Sequence, residues 1–190
     1  MNYTLQEKYK LINKSLLICE DKNPIKIIKS IMKKDFINIH GPEHHYLDGA
    51  CFLVAYKNSG GIINIEEALD TLSQRTINMP GAMCGYWGVC GSVTSIGAAL
   101  SIITSTTPLS NSTYYKDNME YTSSVIKKMS EIGGPRCCKR NAFLSLLYAS
   151  EFVKNKYNIK IKLEEIHCEF SDLNKQCIKE RCPYFVNNKI

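Results

Sequence analysis

The chain has 190 residues and a formal net charge of +6, and 44% of its side chains are hydrophobic. That length suits one domain with a sizeable core, or one domain with a short appended module. The longest apolar run, around Ile96 to Ile103, is far below the ~20 residues of a membrane-spanning helix, so no membrane partner is expected. Most of the cations are lysines scattered along the chain, as on a solvated surface. No stretch interleaves aromatic and basic residues densely enough for a single-strand nucleic-acid platform, which leaves RNA a weakly supported partner, chiefly as a sulfur acceptor.

In chain order, Leu5, Tyr9, Ile12 and Leu16 form one helical stripe, and Asn23-Pro24 starts a second helix carrying Ile25, Ile28 and Met32. Gly41-Pro42 opens a third helix to about Lys57, stopped by Asn58-Ser59-Gly60-Gly61. Asn64 with Glu67 predicts a capping box for a fourth, ending near Ile77. From Met79 to Ser92, Pro80, Gly81, Gly85, Gly88 and Gly91 predict a loop without regular structure. Helical periodicity returns from Val93 to about Ser105 and from about Tyr115 to Ile132, halts at Gly133-Gly134-Pro135, and resumes from about Cys137 to Tyr157. Alternation of Ile159, Ile161 and Leu163 with Lys160 and Lys162 predicts a short strand, followed by a tail with one helical turn near Leu173 to Ile178. The expected fold is therefore mainly all-α: a helix bundle over residues 1–158 and a cysteine-rich tail, 159–190, docked on it by a metal centre.

Nine cysteines, an odd number, without a secretory signal, point to a cytoplasmic protein whose thiols bind metal, react or pack. The tail has the spacing C-x8-C-x4-C-P in Cys168, Cys177 and Cys182, and proline directly after a cysteine recurs in iron-sulfur ligation. A fourth thiolate from Cys137 or Cys138 would complete a site for a four-iron (4Fe-4S) cluster. Zinc accepts the same ligands, but its usual pairing of cysteines two to four residues apart is missing. The pair Cys137-Cys138 opens a helix among Arg136, Lys139 and Arg140, where amides and cations favour thiolate and could hold an anionic substrate.

In the glycine loop Cys84 and Cys90 are each followed by glycine, which suits a thiol nucleophile or a sulfur carrier. Helical spacing aligns His44, Asp48 and Cys51, so the carboxylate can orient the imidazole as a general acid or base. Cys51 reads as core, and His40 and His45 complete a histidine-rich segment assigned to substrate binding. No phosphate-binding loop is present in the glycine segment.

His-Gly-Pro-Glu-His-His at 40–45, Cys-Gly-Tyr-Trp-Gly-Val-Cys-Gly at 84–91, Gly-Gly-Pro-Arg-Cys-Cys-Lys-Arg at 133–140 and the Cys-Pro-Tyr-Phe ending together resemble a family of small cysteine-rich domains. That family occurs mainly in anaerobic bacteria and methanogenic archaea and has no assigned activity. The resemblance covers about Asn38 to Phe185 and implies an anaerobic setting, which favours an oxygen-sensitive cluster. The leading expectation is an iron-sulfur enzyme of redox or sulfur-transfer chemistry on a small anionic or sulfur-containing substrate, served by an electron-donor protein. The alternatives are a non-enzymatic binding module locked by zinc or a cluster, and a metal-free thiol or persulfide carrier.

Overall fold

The computed structural model describes residues 3–186. Among these residues the regular structure is eight α-helices and one 3₁₀ turn, with no strand. Each early helix starts where a side chain satisfies orphan amides. Thr4 caps α1 (Leu5–Leu16) through a full capping box with Glu7, and Asn23 caps α2 (Pro24–Met32) by accepting from the amides of Ile25 and Lys26. The box at Asn64 is half made: Asn64 accepts from the Glu67 amide at the start of α4 (Ile65–Thr76).

α3 (His44–Asn58) is the axis, packed by α1, α2, α4, α6 and α8. Every residue from His44 to Tyr56 is buried, as expected of a helix with no polar face. Its close approach to α6 (Gly91–Ile103) depends on Gly49, whose amide donates to Ser95 Oγ at 2.9 Å. α7 (Thr113–Ile132) and α8 (Cys138–Tyr157) close the bundle. α8 ends at Asn158, whose φ of 57° is the left-handed stop that asparagine tolerates.

Three expectations are corrected. The glycine segment holds one helical turn, α5 (Met83–Tyr86), entered through Ala82 at φ 62°, a left-handed conformation that costs an alanine about 1–2 kcal/mol. Residues 159–163 are extended with the predicted alternation, Ile159, Ile161 and Leu163 lying half-buried on the core and the lysines outside, but no neighbouring strand pairs with them. The apolar face docks on helices, so the backbone never joins a ladder. The predicted turn at 173–178 falls later, as a 3₁₀ turn at Lys179–Arg181. Phe170, Ile178, Cys182 and Tyr184 are buried in the same core as the helices, with Tyr184 edge-on to Phe143. Glu169 pairs with Lys29 and Lys33, tying the tail to α2. No helix among the described residues is long and apolar enough to cross a membrane.

Candidate functional site

The first turn of α8 organises the site. Consecutive helical residues point about 100° apart, so neighbours in sequence serve different surfaces. Arg140, buried, donates through Nη2 to the carbonyls of Gly133 and Pro135, both at 3.0 Å, and through Nε to Asn141 Oδ1. Lys139 is 0% exposed; its Nζ donates to the Asn38 carbonyl at 2.9 Å, sits 3.1 Å from His44 Nε2 and faces the Phe170 ring. Burial lowers its pKa to about 8. Both cations expected to meet substrate are thus engaged within the protein. Arg136 alone of the three is exposed, where it lines a cavity.

Cys137 and Cys138 open into different cavities. Cys137 shares an apolar one with Cys168, Cys177 and Cys182, walled by Phe143, Phe170, Ile178 and Tyr184. Each of these four sulfurs accepts a nearby backbone N–H: Cys137 from Arg140, Cys168 from Phe170 and Cys177 from Lys179, all at 3.4 Å, and Cys182 from Tyr184. Asn174 adds a side-chain donor to Cys137 at 3.5 Å. The backbone bond from Cys168 N–H to the Tyr184 carbonyl, 2.8 Å, clamps the tail's two ends around this cavity. Burial raises the pKa of Cys168 and Cys182, the amide bonds oppose it, and the neighbouring thiols add to the rise. Among the described residues no three His, Cys, Asp or Glu side chains converge closely enough to share one metal ion.

Cys138 lines a second cavity of about 260 Å³ with His40, His44, His45, Asp48, Cys84, Cys90, Ser92 and Arg136. Residues from four distant segments of the chain, 40–48, 81–84, 90–92 and 136–138, meet here. Asp48 is completely buried; its Oδ1 is 3.4 Å from His44 Nδ1, and its Oδ2 has no hydrogen-bond partner. His44 Nε2 lies 3.1 Å from Lys139 Nζ and 3.3 Å from the Asn38 carbonyl, so the contacts run Lys139 to His44 to Asp48. The carboxylate orients the imidazole as the spacing predicts, while the imidazole leaves one carboxylate oxygen free. His40 joins the two cavities, with Nε2 3.0 Å from Asn174 Oδ1 and Nδ1 accepting from the Cys138 amide. Burial lowers the pKa of His40 and His45.

The glycine loop closes this cavity and borders a third, of about 320 Å³, that Cys84, Cys90 and Arg136 also line. Gly91 is where the sequence permits only hydrogen: a Cβ would lie 2.0 Å from the His45 ring. A Gly91→Val substitution is expected to expel His45 from the cavity, seen as loss of any cavity ligand's binding with helicity by circular dichroism unchanged.

The expectation that cations and helix amides lower the thiol pKa fails at Cys138, which burial pushes up to about 12 against one amide bond from Gly41. Burial likewise raises Cys90 despite donors from Asn141 and Ser92, and raises Cys51 well above its ordinary value in the core. In native protein at pH 8, Cys51 and Cys90 are therefore expected to alkylate at less than about one tenth the rate of the same residues after unfolding, measured by mass spectrometry of peptides. Asn38, Glu43, Asn141, Asn174 and Phe170 hold these groups and were missed by sequence reasoning. Glu43, which accepts from the Asn38 amide at 2.7 Å and pairs with Lys8, carries only the weak signal of a carboxylate before a helix.

A helical bundle with one four-thiol cavity and one histidine-carboxylate cavity back to back defines the class. The chain belongs to the family described as "Family of unknown function (DUF5714)", which it matches over residues 12–185. No curated protein and no solved structure matches it.

Proposed function

We propose that the protein is a cytoplasmic iron-sulfur enzyme of anaerobic metabolism, in which Cys137, Cys168, Cys177 and Cys182 hold a four-iron cluster and the histidine cavity holds a small substrate. The observation that carries this reading is the set of four thiols around one cavity, each sulfur accepting a backbone N–H. Such bonds favour thiolate over thiol and tune iron-sulfur potentials. Cys137 rather than Cys138 is then the fourth ligand. One zinc ion takes all its thiolates at about 2.3 Å from a single point, whereas a four-iron cluster takes one thiolate on each iron. About 10 Å³ of the cavity is open to an atom the size of water, so loading requires the thiols to turn outward. The tail, without regular structure from 158 to 178, is the side that can yield.

When bound, the cluster supplies one-electron exchange with a donor protein. The remaining roles fall to the chain's own residues. Arg136 meets an anionic group of the substrate, Asp48 takes or gives a proton, His44 and Lys139 fix Asp48, and Cys84, which lines both substrate-side cavities, is the nucleophile or sulfur carrier. Redox or sulfur-transfer chemistry follows from this set. The narrowness of the thiol cavity favours one second reading, a zinc-locked binding module without catalysis.

An optical spectrum of protein purified without oxygen, with iron, sulfide and zinc assayed on the same sample, tests the proposal. Broad absorption near ~400 nm with matched iron and sulfide is the expected result. One zinc per chain in a colourless protein supports the second reading, and neither metal after reconstitution removes both.

A further inference from the structure

The charges around the histidine cavity restrict what it binds. At its inner wall is Asp48, completely buried, with Oδ2 unpartnered. On its far side Oδ1 lies 3.4 Å from His44 Nδ1, and Lys139 Nζ lies 3.1 Å from Nε2 of the same imidazole. At the rim is Arg136, exposed, whose planar fork suits a carboxylate. Between them His40 and His45 are held toward their neutral forms by burial. One fixed negative charge inside and one positive charge outside make a dipolar site. A purely anionic ligand would face Asp48 and a purely cationic one would face Arg136.

Resting on the reading of this cavity as the substrate site, we propose that its ligand is a small zwitterion, an α-amino acid with its ammonium on Asp48 and its carboxylate on Arg136. A buried carboxylate oxygen without a donor costs free energy that an ammonium donor removes. The wall carries three thiols, Cys84, Cys90 and Cys138, soft and polarisable groups against which a sulfur-bearing side chain packs better than a polar one. The volume of about 260 Å³ falls below the range of drug-sized pockets and admits an amino acid but no nucleotide.

The test is calorimetric titration of the full chain, purified and reconstituted without oxygen, with three matched probes: S-methyl-L-cysteine, 3-(methylthio)propionate, which lacks the ammonium, and 2-(methylthio)ethylamine, which lacks the carboxylate. The expected result is at least about tenfold tighter binding of S-methyl-L-cysteine than of either counterpart. Arg136→Gln, a substitution at an exposed position, should abolish the preference over the amine, and Asp48→Asn the preference over the acid. Equal or tighter binding of the acid or of the amine overturns the proposal, as does no heat with any probe. Iron and sulfide measured on the same sample report separately on the cluster, so failure here leaves that reading standing or falling by itself.

Discussion

Serine in place of Cys168, Cys177 or Cys182 is expected to strip most of the iron from the protein and to release residues 159–186 from the bundle. The tail has no regular secondary structure before its 3₁₀ turn, and its fully buried apolar residues are few: Phe170, Ile178, Cys182 and Tyr184. Its ion pairs to α2 are partly exposed and worth little each. The proposed metal centre, binding the folded arrangement and not the open chain, would supply the rest of the holding free energy. Serine keeps the volume and removes the thiolate, so the loss is of ligation more than of packing. Trypsin cleavage at Lys160, Lys162, Lys175 and Lys179 should accelerate by about tenfold or more while α3 and α8 stay resistant. Cys19→Ser, outside both cavities, should leave cleavage and iron unchanged. A tail that remains protected after loss of the metal would show that apolar docking alone holds it.

The second large effect is expected at Gly49. A Cβ there would lie 2.7 Å from both the carbonyl and the Oγ of Ser95 and 3.0 Å from Leu72, so α3 and α6 would have to separate along the axis of the bundle. Gly49→Ala should cost about 2 kcal/mol and Gly49→Val roughly 3 kcal/mol or more, because close-packed helices cannot absorb the added volume by moving a side chain. For a chain of this size that is a fall in Tm of about 6–12 °C for the valine variant, read by thermal unfolding. A small change would mean that Ser95 and Leu72 yield more readily than their burial implies. Asp48 and His45 flank this contact, so the same substitution should also weaken ligand binding in the histidine cavity.

Helix boundaries were legible because they rest on local chemistry. Asn23-Pro24, the Gly133-Gly134-Pro135 stop and the Leu5 to Leu16 stripe each act within a few residues. The strand at 159–163 misled because a period of two reports that one face is buried, and an extended chain lying on helices has the same period as one in a sheet. The pairing of His44 with Asp48 was legible from helical spacing. The division of labour between Cys137 and Cys138 was not, since neighbours on a helix are equivalent in sequence and differ only in what the fold puts opposite them. Lys139 and Arg140 misled for a related reason: a cation beside a cysteine reads as surface charge, while here the Asn38, Gly133 and Pro135 carbonyls draw both inside. The expected fall in thiol pKa at Cys138 overlooked burial, which outweighs its amide donor.

The most direct measurement of the central claim is iron and sulfide content in Cys137→Ser beside Cys138→Ser, each purified and reconstituted without oxygen. The two substitutions are adjacent, chemically identical and at the same helix start, so a general folding defect affects both alike. Cys137→Ser is expected to lose most of the proposed cluster, while Cys138→Ser keeps it and is altered only in the histidine cavity. Equal retention in both variants, or loss in Cys138→Ser alone, would contradict the four-thiol centre proposed here.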